Sequence, residues 1–136
     1  MKRTKPTANR RADILAAALT ELGERGYASA STNAIAAGAG VAKGLVFHHF
    51  GDKDALFLAV VNEAARVIDP YFADALADAP RDLIGRILVI VERKISFIAD
   101  EPRASRFLIV GMADAPPALR KQALAILDRS ANLLWK

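Results

Sequence analysis

The sequence predicts an all-α fold, and three observations carry the prediction. Apolar residues recur at three- and four-residue spacing through most of the chain, the signature of helices that each bury one face. No stretch shows the strict apolar/polar alternation of a half-buried strand, and no internal repeat is present. Hydrophobic residues make up 53% of the 136 and charged residues 25%, with only 8 Gly and 6 Pro, so the chain has enough apolar material for a packed core.

The first periodic segment runs from about Ala8 to Arg25, with Ile14, Leu15, Ala18, Leu19 and Leu22 on one face. Thr7 is placed to cap its start and Gly26 to end it in the left-handed conformation. A small-residue stretch follows, which parses as two short helices around a glycine turn: Ser31 to Ala37, then about Ala42 to His48. Ile35 and Ala36 lie on the inner side of the first, Gly40 takes the left-handed turn, and Val41, Val46 and Phe50 close the core. The small side chain at Ala36 permits a second helix to approach closely. This spacing is a helix-turn-helix arrangement over residues 31–50.

Asp52 caps a longer helix, in which Leu56, Phe57, Val60, Val61, Ala64, Val67 and Ile68 keep helical spacing until Pro70 ends or kinks it. Tyr71 to Leu76 can extend it on a changed axis. A helix over Arg81–Ala99 is expected to bury Leu83, Ile84, Ile87, Leu88, Val91, Ile95 and Ile98. Another spans Pro102–Met112. Pro116-Pro117 starts the last, whose stripe of Leu119, Ala123, Ile126, Leu127, Ser130 and Leu134 runs on to the final residues. Asn132 to Lys136 is still periodic, so the helix either frays there or continues into residues beyond 136.

Several function classes are excluded by composition. The absence of cysteine removes disulfide scaffolds, thiolate metal sites and cysteine nucleophiles, and fits a reducing cytoplasm. The apolar runs at Leu83–Val91 and Phe107–Met112 fall short of the roughly 20 residues that cross a bilayer, so no membrane association is expected. The basic start leads into Pro6-Thr7-Ala8-Asn9 rather than an apolar signal segment, and a cytoplasmic location is expected. No phosphate-binding loop or nucleophile motif is present, and the acids Asp52, Asp54, Asp100 and Glu101 flank helix ends where capping accounts for them. An enzyme is not expected, and neither a cofactor nor a catalytic residue is assigned.

Charge is distributed unevenly. Of the net +4, residues 1–11 contribute +5 through Lys2, Arg3, Lys5, Arg10 and Arg11, leaving −1 for the rest. A basic segment beside a helix-turn-helix attracts nucleic acid. A helix opening at Ala42 carries no large side chain on its first exposed turn, so Ala42, Lys43, Gly44 and Leu45 can approach base edges in a major groove that only just admits a helix. Lys43 can donate to guanine O6/N7 or to a phosphate. Lys53 sits just inside a helix N-terminus, where free N–H groups and the ammonium together favour a phosphate. His48 and His49 make a poor metal pair, because adjacent helical residues diverge by about 100° and the chain has no third histidine.

Gly26-Tyr27, Ile35-Ala36, Gly40-Val41-Ala42-Lys43-Gly44, Phe47-His48-His49-Phe50 and Lys53-Asp54-Ala55-Leu56 together resemble the DNA-binding domain of the TetR family of bacterial transcriptional regulators. The resemblance covers roughly residues 10–57 with unbroken spacing. It implies that Phe47, His48 and His49 face backbone phosphates, with Phe47 keeping the ring but not the hydroxyl of the tyrosine usual there. Thr32 and Asn33 are assigned a backbone and a groove contact. Ala30 stands where the family usually has a capping threonine, a role that Ser29 or Ser31 can take.

The resemblance further implies two units: residues 1–51 binding DNA, and residues 52–136 forming a helical ligand-binding and dimerisation domain that is incomplete at its C-terminus. The implied function is a homodimeric repressor on a palindromic double-stranded operator, released when a small-molecule effector moves the helix after Phe50. Tyr71, Phe72, Phe97, Phe107, Met112 and Trp135 are candidates for the effector pocket and equally serve as ordinary core. The expected apolar surface near the C-terminus includes Leu133, Leu134 and Trp135, covered by further chain or by a partner. An activator of the same fold, or a helical interaction or ligand-binding protein without DNA regulation, is the alternative.

Overall fold

A computed structural model describes residues 7–131, which form seven α-helices and one π turn with no strand among the described residues. The helices are α1 (Thr7–Ser29), α2 (Thr32–Ala39), α3 (Lys43–Phe50), α4 (Lys53–Phe72), α5 (Leu83–Asp100), α6 (Pro102–Arg106) and α7 (Pro117–Ala131). The π turn, Phe107–Gly111, continues α6. The expected helix over Pro102–Met112 is thus two short pieces of different pitch. Lys2, Arg3 and Lys5, and Leu133, Leu134 and Trp135 with them, lie outside the described residues.

The core forms where the longest apolar stripes meet. Ile14, Leu15, Ala18, Leu19 and Leu22 of α1 are buried, as their spacing predicts, against Leu56, Phe57, Val60, Val61 and Ala64 of α4. Phe107, Met112, Leu119 and Ala123 complete the same cluster from the C-terminal half. No flexible linker separates the two halves. α4 packs on α1, α3, α5 and α7, so one helix touches both the helix-turn-helix and the C-terminal half.

Helix ends follow the local chemistry. Thr7 is the first residue of α1 rather than its cap. Gly26 breaks α1 at φ 78° and ψ 172°, and a further short turn, Tyr27–Ser29, follows on a new path. Ser31 caps α2 by accepting from the Ala34 N–H at 3.2 Å, so it, and not Ser29, supplies the cap that Ala30 cannot. Asp52 caps α4 through the Ala55 N–H at 2.7 Å. α4 passes through Pro70 and ends at Phe72, so Tyr71 to Leu76 does not extend the helix as a whole.

One expectation is overturned. The residues Leu83, Ile84, Ile87, Leu88, Val91, Ile95 and Ile98 are not a buried stripe, for they are between 43% and 73% exposed. α5 turns its other face inward: Phe97 is buried with its ring 5.5 Å from that of Tyr71, and Val89, Ile90 and Ser96 are half-buried. Periodicity identifies an apolar face but not what lies opposite it. Here α4 and α6 meet α5 on the Phe97 side.

Candidate nucleic-acid interface

The helix-turn-helix is fixed from its turn outward. Gly40 adopts φ 68° and ψ 32°, a left-handed conformation available to glycine at little cost. It donates its N–H to the Ala37 carbonyl at 3.1 Å while Val41 donates to that of Ala36 at 3.0 Å, the paired bonds of a Schellman ending. The chain then reverses into Ala42, extended at φ −71° and ψ 147°, and α3 begins at Lys43. Ala42 has no side-chain cap to offer, so the first N–H groups of α3 remain for solvent or an anion.

Helical geometry then sorts the side chains of α3. Val46 is fully buried and Phe50 half-buried against the core, which points the opposite face outward. Lys43, Gly44, Phe47 and His48, at i, i+1, i+4 and i+5, are all exposed, as is Ala42 before them. Leu45 and His49 sit half-buried at the two borders of that face. On α2, Asn33 is exposed and Thr32, its first residue, is half-buried. The structure therefore brings together Ala42, Lys43, Gly44, Phe47 and His48 on one surface. Among the described residues no group of three or more His, Cys, Asp or Glu is placed to hold a metal ion.

Two aromatic platforms, not singled out in the sequence, hold cations of α1 and α4. The Arg11 guanidinium of α1 lies 5.0 Å from the centre of the Phe50 ring. The Lys53 ammonium lies 4.6 Å from the centre of the Tyr27 ring. Tyr27 in turn meets Phe57 edge-on at 5.4 Å and donates its hydroxyl proton to Asp54. Lys53 is thus positioned by packing, and of the N–H groups at the start of α4 the one of Ala55 is taken by the Asp52 side chain. No local spacing reveals Tyr27 as a partner of Lys53, because 26 positions separate them.

The Tyr27 hydrogen bond makes a pH prediction. Its phenol is pushed up to about 12, first by the hydrogen bond to Asp54 and then by desolvation and the negative charges of Asp54 and Asp52. The folded state therefore favours the protonated phenol above its ordinary value of 10.0, and that contribution is complete below pH 10 and lost as pH rises towards about 12. An ultraviolet phenolate titration of the two tyrosines should show the later-ionising one restored towards its ordinary value by Asp54→Asn and removed by Tyr27→Phe. A titration unchanged by Asp54→Asn would show that the hydroxyl has another partner.

The effector candidates divide into two groups. Tyr71 and Phe97 meet edge to face, and the Tyr71 hydroxyl donates to Asp100 at 3.2 Å, with Phe72 half-buried beside Tyr71 in the chain. Phe107 and Met112 belong instead to the main core, the Phe107 ring lying 5.7 Å from Phe57. Trp135 lies outside the described residues. No helix among the described residues is long and apolar enough to cross a membrane.

Known proteins share both the motif and the architecture. The HTH-type transcriptional repressor AcnR of Corynebacterium glutamicum is 38% identical over 81 residues, which cover 59% of this chain and 43% of the repressor. The chain thus spans less than half the length of that relative. Among solved structures, the regulator FadR from Bacillus subtilis superimposes with a TM-score of 0.73 at 22% identity over 91% of this chain and 66% of its own. The multidrug binding protein EbrR superimposes with a TM-score of 0.70 at 27% identity, over 92% and 70%. The family model of bacterial regulatory proteins, tetR family, matches residues 14–60, the segment from the core face of α1 through the exposed face of α3 into α4. Through that segment the chain is similar to the TetR family of bacterial regulatory proteins.

Proposed function

We propose that the protein is a sequence-specific DNA-binding transcriptional regulator, and a repressor, that places α3 in the major groove. The observation that carries this reading is the single exposed face of Ala42, Lys43, Gly44, Phe47 and His48, with the small Ala42 and Gly44 on either side of Lys43 and with ring-held cations, Lys53 and Arg11, on α4 and α1. Residues 1–51 form the DNA-binding unit in this reading, and residues 52–136 belong to a ligand-binding and dimerisation unit. A relative that is a transcriptional repressor supports the sign of regulation. The multidrug binding protein among the structural neighbours supports a small-molecule effector; in this reading its binding lowers operator affinity through α4. Two copies related by a two-fold axis would align two recognition helices on a palindromic site, roughly one turn or more apart. The chemistry is non-enzymatic throughout, and the protein acts in the cytoplasm where its DNA lies.

Selection from a pool of randomised duplexes tests this reading and yields the operator. An enriched inverted repeat is expected. On that sequence Lys43→Ala should cost about 1–3 kcal/mol and relax preference at one position, while Lys53→Ala should weaken operator and random DNA alike and reduce the salt slope by about one unit. If no sequence is enriched and binding is indifferent to salt, a helical interaction or ligand-binding protein is the correct reading. If discrimination survives Lys43→Ala intact, the lysine contacts only the backbone.

A further inference from the structure

We propose that Asp114, in the loop after the π turn, is a positioning residue for DNA binding, because its carboxylate holds the backbone of the same Tyr27 whose ring carries Lys53. The proposal rests on the reading that Lys53 meets a phosphate. The structure joins three steps. The Asp114 carboxylate accepts the N–H of Tyr27 at 2.8 Å through Oδ1 and that of Ala28 at 3.2 Å through Oδ2. These are the first donors of the short turn that restarts after Gly26, so an acid 87 positions away does the work of a helix cap.

Gly26 makes the approach possible. Its φ of 78° is strained for any other residue, and a Cβ there would stand 2.9 Å from Asp114 Oδ1. A second bond ties the same region, from Arg106 Nε to the Gly23 carbonyl at 3.1 Å. The C-terminal half therefore grips the end of α1 on both sides of its break.

The side chain of Tyr27 carries the constraint onward. Its ring lies under Lys53, its hydroxyl donates to Asp54, and its edge meets Phe57, all on the first turns of α4 directly after α3. A backbone freed at Tyr27 would let the ring swing, and Lys53 would lose its platform. Movement of the 112–116 loop is thereby convertible into a change at the phosphate-facing edge without any contact between that loop and DNA.

The experiment uses the full chain and a random-sequence duplex of about two dozen base pairs, with affinity measured across a salt series. Asp114→Ala is expected to weaken binding about tenfold, the scale of one hydrogen bond to a charged group, and to lower the salt slope by about one unit, as Lys53→Ala does. Combining Asp114→Ala with Lys53→Ala should add little to Lys53→Ala alone, since both remove one contact. Asp114→Asn, which keeps the size and one acceptor oxygen, should fall between, and serves if the alanine variant does not fold. Additive losses, or a lowered denaturation midpoint with unchanged affinity and slope, would overturn the proposal and leave Asp114 a structural cap. If the unsubstituted chain binds no duplex, the DNA-binding reading falls and the proposal with it; if it binds and Asp114→Ala binds equally well, the proposal falls alone.

Discussion

Phe57→Ala is expected to destabilise the fold by about 3–5 kcal/mol, whereas Leu88→Ala should change stability by less than about 0.5 kcal/mol. Both remove a large apolar side chain from a helix whose sequence is amphipathic, and only surroundings separate them. Phe57 is fully buried, with the rings of Tyr27 and Phe107 at 5.4 and 5.7 Å, so truncation loses the transfer free energy and leaves a cavity lined by two aromatic side chains. Leu88 is 62% exposed and loses little. Urea denaturation decides it, because an m-value of about 1–3 kcal/mol per molar turns the first loss into a midpoint shift of a molar or more. A Leu88→Ala penalty as large as that of Phe57→Ala would show that the outer face of α5 is covered in solution. Phe57→Ala should also weaken Lys53's part in DNA binding, since Tyr27 rests on the Phe57 ring.

The contrast between these two residues marks how far the sequence could be read. Local chemistry was legible: the left-handed Gly40, the Asp52 cap, the apolar faces of α1 and α4, and the small opening of α3 each depend on residues within a few positions. Ser31 was one of two candidates for the α2 cap, and geometry chose it. What escaped depends on distance along the chain. Nothing near Tyr27 announces an acid at position 114 or a lysine at position 53, because those contacts exist only after α1, α4 and the 112–116 loop have packed. The stripe on α5 was misplaced for a related reason. Its spacing is that of a buried face, but the inward direction is set by Phe97 meeting Tyr71 from a neighbouring helix. The π pitch at Phe107–Gly111 likewise left no mark in the apolar pattern, which fits an α-helix equally well.

Gly44→Glu should separate the stability of α3 from its function, moving the two in opposite directions. Glycine inside a helix costs about 1 kcal/mol relative to alanine, and a Cβ at position 44 would meet nothing within 4 Å, so no packing reason for the glycine exists in the free protein. Glutamate is a good helix former, and on the first turn of α3, whose N-terminus has no side-chain cap, its charge also suits the helix dipole. The variant is therefore expected to be as stable as the parent or more so, by up to about 1 kcal/mol. Against DNA the same side chain puts bulk and negative charge on the face that Lys43, Phe47 and His48 share, where like-charge juxtaposition costs several kcal/mol, and the loss should exceed about 100-fold. Gly44→Ala separates size from charge, gaining the stability with one methyl added. Thermal unfolding and duplex binding, measured on the same preparations, give both quantities. Equal DNA affinity for parent and Gly44→Glu would mean that this face of α3 does not enter the groove, because a backbone exposed for close approach is the one use of a glycine here that the fold itself does not supply.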